Sequence, residues 1–154
     1  MLIIQSVSAH CDIPCKIYDP AIAQVAALSV ARLLDLMQEV NLDSDSLAAN
    51  AQLSRLVAEK EAEARIVKEE VMIIWGDYFK EPQLEKFPET HELVHSLMQI
   101  ASKCKQSIDP ENGNELIKQL NRFTELFWAT KGVATHLVVA PYPPGLPIIK
   151  PVLE

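Results

Sequence analysis

The chain has 154 residues, with 14 Lys and Arg against 21 Asp and Glu, a formal net charge of −7 and a pI near 5.1. Such a length is most simply one domain with a sizeable core, and the acidic balance argues against a nucleic-acid partner, since phosphate binding relies on clustered Lys and Arg. No apolar run reaches the roughly 20 residues of a membrane span, so a membrane is not expected as a partner either.

Residues 1–9 carry no Lys or Arg and are too short for a secretory signal. They read as a leader removed after the small residue Ala9 by a processing peptidase, in a chain expected to be cytoplasmic. The next stretch, His10-Cys11-Asp12-Ile13-Pro14-Cys15 followed by Tyr18, is the densest in chemistry. A C-x₃-C pair alone also fits a disulfide, a zinc half-site or two unrelated cysteines. The adjacent His, the Pro inside the loop and the downstream Tyr favour a metal. If the chain is cut before His10, its α-amine and the Cys11 backbone nitrogen close one five-membered chelate ring. That nitrogen and the Cys11 sulfur close a second. Cys15 returns a second thiolate through a turn stiffened by Pro14. Two nitrogens and two sulfurs in a plane suit Ni(II) or Cu(II), and the His10 imidazole is free to reach an axial position. Binding is expected to depend on pH, because thiols and amide must lose protons.

Beyond this hook the periodicity is helical. Asp19-Pro20 is a capped start with proline at the first helical position, and Ile22, Val25, Ala26, Val30, Leu33, Leu36, Met37 and Val40 recur at helical spacing. Residues 41–46 form a cap-rich turn. A long second helix is predicted over about 47–75, and 76–88 is a connector broken by Pro82 and Pro88. A third helix covers about 89–106, with Cys104 on its apolar stripe as a core thiol. Asp109-Pro110 opens a fourth, carrying Leu116, Leu120, Phe123 and Phe127. No segment within 20–131 alternates as a strand. Residues 132–154 hold five of the ten prolines and read as an extended surface or intersubunit tail. The predicted architecture is all-α: an N-terminal metal-binding hook over 10–18, an antiparallel four-helix bundle over 19–131 and a Pro-rich C-terminal tail.

Hook and bundle together resemble the nickel-containing superoxide dismutases over about residues 10–131. The resemblance rests on the hook with Tyr18-Asp19-Pro20, on Trp75-Gly76-Asp77-Tyr78-Phe79-Lys80 with Glu85-Lys86-Phe87-Pro88-Glu89, and on Phe127-Trp128. It implies a homohexamer with one nickel ion per subunit, alternating between Ni(III) and Ni(II) as superoxide is converted to O₂ and H₂O₂. The implied ligands are the amine and imidazole of His10, the amide and sulfur of Cys11, and the Cys15 sulfur. Tyr18 is implied to stand by the open axial face, and Asp12 to order the loop.

The chain departs from the family in three places. Lys16 stands where the family commonly has Gly. Family members use a Glu in the first helix and an Arg in the second to orient the axial imidazole; counting from the hook puts Ala26 at the first position, and counting back from Trp75 puts Glu63 at the second. Glu63 is therefore the candidate to accept the His10 ring N–H directly. The alternative is a nickel-binding helical protein with little turnover. A third reading comes from His91-Glu92-Leu93-Val94-His95, which spells the H-E-x-x-H signature of zinc proteases. The Gly and His of the extended motif are missing after it, so that reading ranks last.

Overall fold

The computed structural model describes residues 16–41 and 46–153. Helix α1 runs over Ala21–Gln38, α2 over Leu47–Ile73, the short α3 over Glu81–Lys86, α4 over Thr90–Gln106 and α5 over Pro110–Thr130. The predicted starts hold for local reasons. Asp19 Oδ1 accepts the Ala21 N–H at 2.8 Å, Ser46 Oγ accepts that of Ala49 at 3.1 Å, and Asp109 Oδ1 that of Glu111 at 3.0 Å. Each cap satisfies an N–H that the first helical turn leaves without a partner.

The four long helices pack as a closed square, α1 against α2 and α5, and α4 against the same two. The α1 stripe of Ala23, Ala27, Val30 and Leu34 is fully buried, at spacings of a helical face. It meets Val67 and Val71 of α2, Leu97 of α4, and Leu116, Leu120, Phe123 and Phe127 of α5 in one core. Small residues let α1 and α5 approach closely: a Cβ added to Gly113 would lie 2.9 Å from the Ala31 Cα.

α1 is long and apolar enough, by length and composition, to cross a membrane, with a mean hydropathy of 1.3. The sequence expectation that no segment qualifies is corrected in that respect. Half of this window is buried among the other helices, which accounts for its apolarity.

Lys60 is the largest buried charge, only 2% exposed. Its ammonium donates to the carbonyls of Cys104, Lys105 and Ser107 at 2.6, 2.8 and 2.8 Å. These belong to the last turn of α4 and its C-cap residue Ser107, where carbonyls lack helical partners and the helix dipole is negative. Desolvation by burial lowers the Lys60 pKa, against the opposing pull of Glu61 and Cys104.

Three segments differ from the sequence reading, the first being the expected connector over 76–88, which contains α3. α2 ends at Ile73 and passes into a single π turn over Ile74–Tyr78, closed by the Phe79 N–H donating to the Ile74 carbonyl at 3.2 Å. The C-terminal segment, expected to be an extended tail, folds into an antiparallel hairpin of β1 (Thr135–Val139) and β2 (Pro147–Pro151). Prolines are compatible with this because Pro147 and Pro151 occupy the ends of β2, while Pro141, Pro143 and Pro144 fall in the connection. Ile148 and Ile149 are buried. Gln24 of α1 donates to the Ile149 carbonyl at 2.7 Å. Asn121 of α5 donates to the Pro147 carbonyl at 2.8 Å and accepts the Ile149 N–H at 3.0 Å.

Candidate metal centre

His10, Cys11, Asp12 and Cys15 lie outside the described residues; the chain enters the structure at Lys16, one residue past the second hook cysteine. Lys16 has φ 59°, the left-handed region where a side chain costs about 1 kcal/mol and glycine is the usual occupant. The family's glycine thus has a backbone reason, and lysine here carries that strain.

Tyr18 follows, half-buried, just before α1. Its ring centroid lies 5.7 Å from that of Tyr78, tilted by 50°, and the π turn is what presents Tyr78 at this point. Such turns are frequent at functional sites because one extra residue re-aims the side chains around it. Tyr78 packs 5.0 Å from Phe127 and 5.4 Å from Phe79, and its hydroxyl meets Thr130 Oγ1. The Thr130 hydroxyl proton goes to the Phe127 carbonyl at 2.6 Å, so Tyr78 is the donor. The ammonium of Lys131 sits 4.6 Å from the Tyr78 centroid and 5.0 Å from that of Phe127, a cation–π geometry. Among the described residues no carboxylate pairs with Lys131. Tyr18, Tyr78 and Phe127, described members of the three sequence blocks that carried the resemblance, therefore come together in one cluster. Tyr78 was legible inside the Trp75–Lys80 block but was not singled out as a site residue. Lys131 carried no signal beyond its charge.

Ala26 and Glu63, reached by counting from two separate anchors, line the same pocket of about 410 Å³ with Ala21, Ile22, Val25 and Ile66. Burial raises the Glu63 pKa, and the neighbouring charge of Glu59 adds to the effect. A carboxylate in an apolar recess, with no cationic partner among the described residues, is expected to behave so.

Among the described residues no three His, Cys, Asp or Glu side chains cluster to hold a metal. That corrects the zinc-protease reading: the Trp75 indole N–H donates to His91 Nδ1 at 3.1 Å, His95 is exposed, and no third ligand joins them. Cys104 is fully buried, and burial pushes its thiol up to about 11, so it stays protonated and is a poor ligand. The residues of the hook, two thiols and an imidazole within six positions, fit nickel better than any donor set among the described residues.

The model of the nickel-containing superoxide dismutase family matches residues 5–131, a span that includes the hook. The chain belongs to that family. It is 38% identical over 126 residues to superoxide dismutase [Ni] of Streptomyces coelicolor (82% of this chain, 91% of the relative) and 37% identical over 128 residues to that of Streptomyces seoulensis (81% and 90%). The native crystal structure of a nickel superoxide dismutase superposes with a TM-score of 0.69 at 36% identity, covering 79% of this chain and 99% of that one. Another, with nickel ligation of the oxidised state, gives 0.70 at 35% identity, covering 80% and 99%. The activity is accordingly nickel-dependent superoxide dismutation, and superoxide is the substrate. The leading expectation from the sequence, superoxide dismutation, is the activity of this family.

Proposed function

We propose that cleavage after Ala9 creates the active site, with His10, Cys11 and Cys15 holding nickel at the end of an antiparallel four-helix bundle. The observation that supports this most is the seating of Tyr18. Three residues past Cys15, it packs at a tilt against a Tyr78 that is itself tied to Phe127, Thr130 and Lys131. Nickel, when bound, supplies one-electron redox chemistry, so that two superoxide ions and two protons yield O₂ and H₂O₂.

The protein's own groups then have separate tasks. Tyr18 holds superoxide or water at the axial face, and Tyr78 fixes the angle of the Tyr18 ring. Lys131 and the exposed Lys16 bring positive potential to the mouth of an otherwise acidic chain, which favours the approach of an anion. Asp12 orders the loop. Glu63 accepts the His10 ring N–H, taking over a task that the family divides between a Glu and an Arg. Partners that orient a ligating imidazole typically change affinity or activity by about 10- to 100-fold when lost. A homohexamer in the cytoplasm completes the reading.

The test compares nickel-loaded protein beginning at His10 with the uncut chain and with a Cys11→Ser/Cys15→Ser variant. Superoxide dismutation confined to the cut, cysteine-intact form supports the reading. Equal activity in the uncut chain would refute the role of the amine. A Glu63→Ala variant with unchanged nickel spectra and turnover would refute that of Glu63.

A further inference from the structure

The C-terminal hairpin lies beyond the family match, which ends at residue 131, and its two edges are treated differently. The outer edge of β2 is covered: Asn121 and Gln24 take the free backbone groups of Pro147 and Ile149. In the antiparallel register, Leu137 faces Ile149 and Val139 faces Pro147. Because the backbone groups of Ile149 and Pro147 point away from β1, those of Leu137, Val139 and Thr135 point away from β2. The ladder closes through the alternate residues, as the flanking bonds Ala140 N–H to the Leu146 carbonyl and Val152 N–H to the Ala134 carbonyl show. Among the described residues nothing bonds the outward backbone groups of Thr135, Leu137 and Val139.

Among the described residues this open edge has none of the devices that usually protect one. Its sequence, Thr135-His136-Leu137-Val138-Val139, contains no proline and no Lys, Arg, Asp or Glu, and Leu137 and Val139 are 60% and 65% exposed. Proteins normally blunt such edges with charge, proline, a bulge or a cover.

We propose that β1 is an interface between copies of this chain, pairing antiparallel with β1 of a second copy about a two-fold axis through Leu137. The edge is complementary to itself. With Leu137 opposite Leu137, Thr135 of each copy faces Val139 of the other, and all three outward N–H groups and carbonyls on each side find partners. No like charges meet, although the chain carries −7 overall. A five-residue strand spans about 17 Å, and the area it buries falls short of the roughly 1,200 Å² of a self-sufficient interface. The pairing therefore supplements other contacts between copies.

The test is residue-resolved hydrogen exchange on the full-length, nickel-loaded protein, with Leu137→Lys, Leu137→Glu and an equimolar mixture of the two. His136, Val138 and Ala140 donate within the hairpin and report that it stays folded. In the unsubstituted protein the amides of Thr135, Leu137 and Val139 are expected to exchange at least about tenfold more slowly than in either variant, because like charges directly opposite one another disfavour pairing. The mixture restores protection, since Lys then faces Glu. Fast exchange of these three amides in the unsubstituted protein, or protection that both variants keep, overturns the proposal. So does a mixture that behaves as its components do, which would make the occupant of the edge a different molecule.

Discussion

Reversing the charge at Lys131 tests whether the cation above Tyr78 serves the substrate or only the aromatic cluster. The ammonium is 4.6 Å from the Tyr78 centroid, and Tyr78 is 5.7 Å from Tyr18, which puts the charge within about 10 Å of the Tyr18 ring. A unit charge at that distance from superoxide is worth about 0.4 kcal/mol in water, and Lys131→Glu changes the charge by two units. With Debye lengths of about 30 Å at 0.01 M salt and 8 Å at 0.15 M, about 0.6 kcal/mol survives at low salt and about 0.25 kcal/mol at physiological salt. At about 1.4 kcal/mol per factor of ten, kcat/KM should fall about threefold in the first case and about 1.5-fold in the second. Lys131→Gln should show the square root of each factor. Pulse radiolysis at the two ionic strengths measures this directly, with near-UV circular dichroism to show that the Tyr78 cluster is intact. Equal rates, or a loss that salt leaves unchanged, would refute the electrostatic reasoning.

Lys16→Gly should stabilise the nickel-loaded protein by about 0.5 kcal/mol, the left-handed strain relieved being larger than the backbone entropy that glycine adds to the unfolded chain; a urea midpoint below that of the unsubstituted chain would contradict it. Lys60→Met should cost about 2–4 kcal/mol, since three bonds from a charged donor at roughly 1.5–3 kcal/mol each outweigh the recovered cost of burying the ammonium. At about 2–4 °C per kcal/mol for a chain of this size, the melting temperature should drop by about 4–16 °C, and an unchanged value would mean that contacts and desolvation cancel. Glu63→Gln has a sign that depends on pH. Its carboxyl is raised above the ordinary 4.5, so ionisation penalises the folded state. That penalty is absent below the ordinary value and complete above the raised one. The nickel-free variant should therefore match the unsubstituted chain at pH 3 and melt slightly higher at pH 7. A lower melting temperature at pH 7 would show that another group already compensates the charge.

The helices were legible because their starts are written in local chemistry. Asp19-Pro20 and Asp109-Pro110 each place an acceptor before a residue with no N–H to satisfy, and the apolar stripes behind them have a clear period. The π turn was not legible, since Ile74 to Tyr78 continues the composition of α2 and differs only in how Tyr78 must be aimed. The hairpin was missed for a different reason. Five prolines dominate the composition of residues 132–154, whereas the strand signal lies in two five-residue runs. The register of those runs is held by Gln24 and Asn121, far away in sequence. Lys60 escaped notice because its partners are backbone carbonyls, which leave no trace in a sequence.

Positions 26 and 63 bear on how far residue counting can be trusted. They were reached from opposite directions, one from the hook and one from Trp75, with no information on how α1 and α2 face each other. The fold nevertheless puts both on one pocket wall, which Val25 beside Ala26 also lines, whereas Ala27 is fully buried in the core and neither Ala62 nor Ala64 lines the pocket. The two positions are thus neighbours in space. In the proposed reading, the single carboxylate of Glu63 on α2 serves where the resemblance implies a carboxylate on α1 and a guanidinium on α2. A lone carboxylate beside Ile22, Val25 and Ile66 is costly to ionise until a donor reaches it, as the direction of its pKa shift indicates. In the role proposed for Glu63, the His10 ring N–H is such a donor, and metal loading and ionisation of Glu63 would then be coupled events, whereas a preformed ion pair would keep them separate.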